Sequence, residues 1–460
     1  MMRKLNVCLV FPRLRYISGD PPLGLGYLAA YLKKNTRADV SIIDATFLRS
    51  KEAVLARLKE GRADILGIYS DGIMVKDAIG IADWAKNNKI YTVIGGPQAT
   101  VDPGSFIAHA DLVVEGEGEL TLAEIVRSYG CVDLAHIPGI WWKKNKETIK
   151  NPINEDFIPL DEVPFPDRGS LPMDKYLYHW NYLDAVDTNK SGTTLIATRG
   201  CPFSCRYCQP TVSRMFGRRV RFRSPEDVAE EIKELKNTYN IGGVFFHDDT
   251  FTLDHAWLES FCRILDDKRI GIYWGCNSRV DTVNEDILKM MYDAGLRSIH
   301  FGIESGSQRV LDSLYDKKID TTQVKDAVSA AQRAGVSTMG FFMLGAPSET
   351  EKEIGQTISL ARSLRLNEAT FSLTTPLAGT YLYDDMLSDS RYKISDNNDD
   401  FNYYSRYAIG GQISRSRIKF LQLKALLFFY LHPFRLGYLG RHLLSLRGLK
   451  KLINKIRRFS

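Results

Sequence analysis

No stretch of this sequence reaches about 18 uninterrupted apolar residues, so it offers no candidate membrane span. The apolar run in Met1–Phe11 is short and ends at Pro12-Arg13 without a small-residue cleavage site, which excludes a secretory leader on this reading and suits a first strand. Cysteine is scarce and odd in number, seven in 460 residues. Four of the seven, Cys8, Cys131, Cys262 and Cys276, are scattered without disulfide-like spacing, so a reducing cytoplasm is expected. Acidic residues are missing altogether from positions 401–460, which hold 13 Lys or Arg. The formal net charge of +6 therefore belongs to the tail, because the first 400 residues carry 48 basic and 55 acidic side chains. Apolar content of 44% and charged content of 25% are ordinary for a globular chain, and the length suggests two or three domains.

What is present is alternation. Short apolar runs such as Asn6–Phe11, Val40–Asp44, Asp64–Tyr69, Tyr91–Gly96 and Asp111–Val114 alternate with helical periods, which predicts an α/β domain with a doubly wound parallel sheet over residues 1–135. Residues 136–190 read as a connector, with a hairpin around Trp141-Trp142 and prolines at 152, 159, 164, 166 and 172. Alternation resumes from about residue 192, where Thr194–Thr198 reads as a buried strand. About six β/α repeats follow, too few for an eight-stranded closed barrel, so a partial (β/α)6 barrel is expected over residues 191–400. Residues 401–460 form a basic helical tail, with amphipathic helices expected over 418–434 and 436–456.

Cys201, Cys205 and Cys208 fall in the loop after the first strand of the second region, where such scaffolds place their chemistry. Thiolates at this spacing can wrap one corner of a cubane cluster and leave its fourth iron open. A zinc site would need a fourth ligand at short spacing, and the next candidate is His247.

The CxxxCxxC triplet, with Tyr207 before its last cysteine, resembles the signature of the radical SAM enzymes. That resemblance implies a [4Fe-4S] cluster on the three thiols and S-adenosylmethionine (SAM) on the open iron, cleaved to a 5′-deoxyadenosyl radical. It also implies SAM contacts at later strand ends. These would come from Tyr207 in the loop, from Asp248 or Asp249, from Arg279 and Glu304, and from the Gly345-Ala346-Pro347 turn through Gly345 and Pro347. An electron donor such as flavodoxin or ferredoxin is implied with them.

In the first domain, three strand ends carry Ser70-Asp71-Gly72, Gly95-Gly96-Pro97 and Glu115-Gly116-Glu117-Gly118, the last running to Thr121 at a helix start. Glycines there let bare backbone approach a flat ligand or a phosphate. With Pro21–Leu32, the pattern resembles the cobalamin (B12)-binding domain of one radical SAM branch. The resemblance implies cobalamin held by Ser70, Asp71, Gly95, Gly96, Pro97, Gly116, Glu117, Gly118 and Thr121. It departs from other B12 proteins in having no histidine between Pro12 and Leu23, and Gln98 stands where relatives often have histidine.

The function implied is methylation of an unactivated carbon, with a non-methylating cyclase or oxidase of the same branch as the alternative. An RNA-modifying enzyme is disfavoured because the tail has no compact β-rich domain, so nucleic acid is not expected as a partner. The basic, aromatic tail reads as a cap on the barrel, as a membrane-surface helix or as an RNA-binding arm. Similar tails in relatives acting on lipids or hydrophobic pigments favour a lipophilic small-molecule substrate. The expected location is the cytoplasm, with peripheral membrane association under the second reading of the tail.

Overall fold

A computed structural model describes residues 4–153, 157–183, 186–187, 189–394, 408–410 and 412–443. The chain divides into two compact units, Met1–Tyr178 with Pro210–Arg221, and His179–Gln209 with Phe222–Ser460.

In the first unit, β1 (Asn6–Phe11), β2 (Asp39–Asp44), β3 (Ile65–Tyr69), β4 (Tyr91–Gly95) and β5 (Leu112–Val114) pair in parallel in the order β2-β1-β3-β4-β5. Successive side chains of β1 serve opposite faces. Val7, Leu9 and Phe11 join a core with Leu32, Val93 and Leu122, whereas Cys8 and Val10 join another with Leu58, Ile81 and Phe106. Both faces are buried, which is why these strands read as continuous apolar runs rather than alternating ones. The hairpin expected around Trp141-Trp142 forms as β6 (Ile140–Lys144) and β7 (Glu147–Lys150), and it extends the sheet antiparallel along β5. Trp142 turns into the first core and Trp141 packs on the second.

In the second unit, β8 (Gly192–Leu195), β9 (Gly243–Phe246), β10 (Tyr273–Ser278), β11 (Leu296–Glu304), β12 (Ser337–Leu344) and β13 (Glu368–Leu373) pair in chain order as a six-stranded parallel half-barrel. The helices between them start at polar caps. Ser224, Asp254 and Asn284 each accept a backbone N–H three residues on, and Asp320 and Thr350 form reciprocal capping boxes with Gln323 and Glu353.

β8 begins two residues before the expected position and ends at Leu195. Gly192 pairs with Gly243 beneath Trp180; a Cβ on Gly192 would come within 2.2 Å of the Gly243 carbonyl oxygen and 2.7 Å of the indole. Beyond Leu195, the buried Asp248 carboxylate accepts the Ala197 and Thr198 N–H groups, and the chain leaves the ladder there.

The tail helices run Arg415–Tyr430 and Pro433–Leu443 among the described residues, so the break falls at Leu431-His432. The expected helix beyond residue 443 lies outside the described residues. Arg415–Tyr430 lies along β13, the edge strand of the sheet, and along the helix Glu351–Ser363. Gln422 donates to the Phe371 carbonyl at 2.7 Å. Covering an open edge in this way removes a site for strand pairing. No described helix is long and apolar enough to cross a membrane.

Candidate active site

The thiol loop leaves β8 through Gly200, whose φ of +100° suits glycine. Backbone bonds on several sides fix it. Cys208 N and Gln209 N donate to the Cys205 carbonyl at 3.0 and 2.9 Å, Arg206 N to the Tyr315 carbonyl at 2.9 Å, and Tyr381 N to the Gln209 carbonyl at 2.8 Å. Cys205 is buried, and none of the three sulfurs forms a disulfide. Burial, with help from Asp249 and Cys205, pushes the Cys201 thiol above its ordinary pKa. Three thiols in one loop suit a positive iron centre, which would take each as thiolate. Among the described residues no three His, Cys, Asp or Glu side chains group as ligands of a single ion. A cubane asks instead for one thiolate on each of three irons.

The two aspartates after β9 differ. Asp248 is 2% exposed and spends its carboxylate on Ala197 N and Thr198 N. Burial raises its pKa to about 6. Asp249 is exposed, and among the described residues its carboxylate has no hydrogen-bond partner. Asp248 thus shapes the strand that feeds the thiol loop, and Asp249 is the carboxylate left for a ligand.

Arg279, at the end of β10, is 4% exposed. Its Nε and Nη2 reach the two Asp281 carboxylate oxygens at 2.9 and 2.8 Å, and Nη2 also donates to the Lys317 carbonyl at 2.8 Å. Nη1 points at Cys205 Sγ from 3.8 Å, and the guanidinium lies 3.6 Å over the Phe203 ring. The guanidinium is held beside the thiol loop with one nitrogen turned toward sulfur.

Glu304 ends β11 at φ +65°, where the register with β12 shifts, a backbone state uncommon outside glycine. Its Oε1 accepts from Lys317 Nζ at 2.9 Å and from Tyr207 Oη at 3.3 Å, and Lys317 Nζ also reaches Tyr207 Oη at 3.0 Å. Burial, then the Glu304 charge, pushes the Tyr207 phenol well above its ordinary pKa. Lys317 was not among the residues expected from sequence. It lies in a polar loop, between Asp316 and Lys318 at φ +49° and +56°, and no motif marks it.

At the end of β12, Glu349 Oε2 accepts Gly345 N at 2.6 Å and Ala346 N at 2.9 Å, and burial raises the Glu349 pKa to about 7. The carboxylate closes the Gly345-Ala346-Pro347 turn from beneath. All these groups sit at the carboxyl ends of β8 to β12.

In the first unit, Ser70, Gly95, Gly96 and Pro97 meet at the ends of β3 and β4. Ser70 N donates to the Gly95 carbonyl at 2.8 Å and Gln98 N to the Ser70 carbonyl at 3.1 Å. A Cβ on Gly96, at φ +108°, would lie 2.8 Å from the Ser70 carbonyl oxygen, so this approach needs glycine. The Asp71 carboxylate turns away to the next helix, accepting Ile73 N at 2.9 Å and Met74 N at 3.1 Å. At the end of β5, Gly116 N donates to Thr100 Oγ1 at 3.1 Å, Glu117 pairs with Arg221, and Thr121 Oγ1 donates to the Pro138 carbonyl at 3.3 Å. A recess of about 30 Å³ lies there, lined by Gly116, Glu117, Thr121, Phe157 and Met215. That is room for about one water molecule. Bare backbone at β3 and β4 fits the edge of a large flat ligand, which would lie on this edge rather than inside the unit.

Comparison with known proteins agrees with both halves. Residues 195–361 match the radical SAM superfamily and residues 20–126 the B12 binding domain. An uncharacterized methyltransferase of Pyrococcus horikoshii is 34% identical over 396 residues, 83% of each chain. The chain belongs to the B12-binding radical SAM enzymes. The anaerobic magnesium-protoporphyrin IX monomethyl ester cyclase of Rubrivivax gelatinosus is 28% identical, over 80% of this chain and 67% of its own. The solved structure of the radical SAM methyltransferase TsrM from Kitasatospora setae, with cobalamin and a [4Fe-4S] cluster bound, shares the fold. Its TM-score is 0.71 at 17% identity, over 86% of this chain and 81% of that one. As a member of this family the protein is an enzyme that uses a [4Fe-4S] cluster, SAM and cobalamin on a small-molecule substrate.

Proposed function

We propose that this radical SAM enzyme is a cobalamin-dependent methyltransferase acting on an unactivated carbon of a lipophilic small molecule, with flavodoxin or ferredoxin as electron donor. The observation that carries the reading is the row of strand ends in the half-barrel. A three-thiol loop, the exposed Asp249 carboxylate, Arg279 and the Tyr207–Glu304–Lys317 group follow one another there. The cofactors, when bound, supply the electron that cleaves SAM and the methyl group that is transferred.

Cys201, Cys205 and Cys208 would hold the cluster. Asp249 suits the SAM ammonium, which needs an anionic acceptor. Arg279 stays cationic beside Cys205 and offsets thiolate charge there, its orientation fixed by Asp281. Lys317 holds Glu304 and Tyr207 in place through its hydrogen bonds to both, so the two present a fixed polar surface toward SAM. Gly345 and Pro347 offer the turn for adenine, and Ser70, Gly95, Gly96 and Pro97 the edge for cobalamin. Gly116, Glu117, Gly118 and Thr121 lie at the neighbouring strand end, where Glu117 is held by Arg221.

Methyl transfer is favoured over cyclisation by the relative of highest identity quoted above, a methyltransferase matched along 83% of both chains. The test is product analysis of the anaerobically reconstituted enzyme with SAM, reductant, cobalamin and candidate lipophilic acceptors. S-adenosylhomocysteine and 5′-deoxyadenosine should accumulate together with a methylated acceptor. Release of 5′-deoxyadenosine without S-adenosylhomocysteine would assign the enzyme to the cyclase group.

A further inference from the structure

The helix Arg415–Tyr430 has two apolar stripes rather than one. The inner stripe, Ile418, Leu421, Ala425 and Phe429, is buried over β13 and the helix Glu351–Ser363. The outer stripe is Phe420, Leu423 and Leu427, continued at the helix end by Leu431, exposed by 54%, 56%, 47% and 65%. At about 100° per residue the two stripes are centred half a turn apart. Past the break, Phe434 and Leu436 are also exposed, at 45% and 51%. Single exposed apolar side chains are ordinary, but a continuous row along one helix face marks a surface that is covered in use.

Cations border the row. On the same helix geometry, Lys419 lies on one margin and Arg417 and Lys424 on the other. Lys424 stands 5.3 Å from the Phe428 ring and Arg417 5.2 Å from the Phe420 ring. Arg417 is shared with Glu351 of the underlying helix. No acidic residue occurs anywhere from 401 to 460. A second copy of the chain docking symmetrically by this face would bring cationic margins of the two helices together, which repel. An anionic bilayer satisfies both features at once, taking the apolar row below the headgroups and the cations at their level.

We infer that the outer face of Arg415–Tyr430, built on Phe420, Leu423 and Leu427 and continued by Leu431, docks this enzyme onto anionic phospholipid membranes, with the helix lying in the plane of the interface. The face is independent of the thiol-loop chemistry, so its test does not depend on the reaction assigned above.

The test floats the full-length, cluster-loaded protein with vesicles of phosphatidylcholine alone and of phosphatidylcholine with about 30% phosphatidylglycerol. The wild type should rise with the anionic vesicles and stay behind with the neutral ones. Leu423→Glu/Leu427→Glu should lower the floated fraction by roughly tenfold or more, and Lys419→Glu/Lys424→Glu should lower it in a salt-dependent manner. Both pairs are on the surface, so far-ultraviolet circular dichroism and SAM cleavage without vesicles should match the wild type. Failure of the wild type to float, or equal flotation of wild type and the leucine variant, overturns the inference. A dimer in sedimentation velocity that the leucine substitutions split, without flotation, assigns the face to a second copy and overturns it too.

Discussion

Lys317 Nζ lies 2.9 Å from Glu304 Oε1, and both residues are under 10% exposed, so this is a buried ion pair between a strand end and the loop that follows it. Tyr207, one residue before the third cysteine, bonds to both partners. The pair therefore ties the thiol loop to β11.

Removing one member of a buried pair strands the other's charge. Lys317→Met is expected to cost roughly 3 kcal/mol or more of unfolding free energy, read from denaturant unfolding under anaerobic conditions. Lys317→Met combined with Glu304→Leu should recover much of that loss, because no buried charge is then left unpaired. Additive losses in this cycle would show that the two side chains do not depend on each other.

The neighbouring aspartates should separate stability from ligand binding. Asp248→Asn exchanges an oxygen that accepts backbone N–H groups for an amide donor, at a cost of about 1–3 kcal/mol. Asp249→Asn should change stability by no more than about 0.5 kcal/mol. It should weaken SAM binding by roughly tenfold or more through loss of a charge-assisted bond. Equilibrium dialysis of SAM alongside thermal melts checks both, and reversal of the two phenotypes would exchange the assignments.

Buried acids give the protein a pH dependence opposite to that of surface-paired carboxylates. Burial raises Asp248 from 3.8 to about 6 and Glu349 from 4.5 to about 7. In that window the folded chain holds protons that the unfolded chain has lost, so stability is highest below the unfolded values and falls as pH rises toward 7. Each group contributes roughly 3 kcal/mol at most to this fall. Glu349→Gln should flatten the fall between pH 4.5 and about 7 in a series of thermal melts; an unchanged slope would mean that Glu349 does not titrate there.

The features legible in the sequence are those that local chemistry determines. The three cysteines occupy one loop, and the parallel strands carry continuous apolar runs because both faces of each are buried. Glu304 and Arg279 are visible because each ends a strand. Lys317 is not visible, since its partner lies 13 positions away and its direction depends on a turn with two positive-φ residues. The division of labour between Asp248 and Asp249 depends on which carboxylate meets the backbone of another strand, and periodicity carries no trace of that. The tail helix reads as amphipathic by charge, yet its apolar residues form two opposite stripes, one packing inward and one facing solvent.

Arg435 shows how firmly the start of the tail is built into the half-barrel. It is 1% exposed, and it donates to the carbonyls of Leu364 and Leu366 beneath it and of Phe429 within the tail, with its guanidinium 3.6 Å over the Phe429 ring. Its bonds go to backbone oxygens, and desolvation lowers its pKa to about 10. A buried cation held in this way is tolerated only because several carbonyl dipoles converge on it. Arg435→Leu removes these donors and the stack on Phe429, which should cost about 2–3 kcal/mol. The loss should appear first as local opening, with faster amide hydrogen exchange in Glu368–Leu373 and Arg415–Tyr430 than in β9 or β10. Exchange that rises equally across the half-barrel would mean that the tail helix and edge strand unfold only with the whole unit.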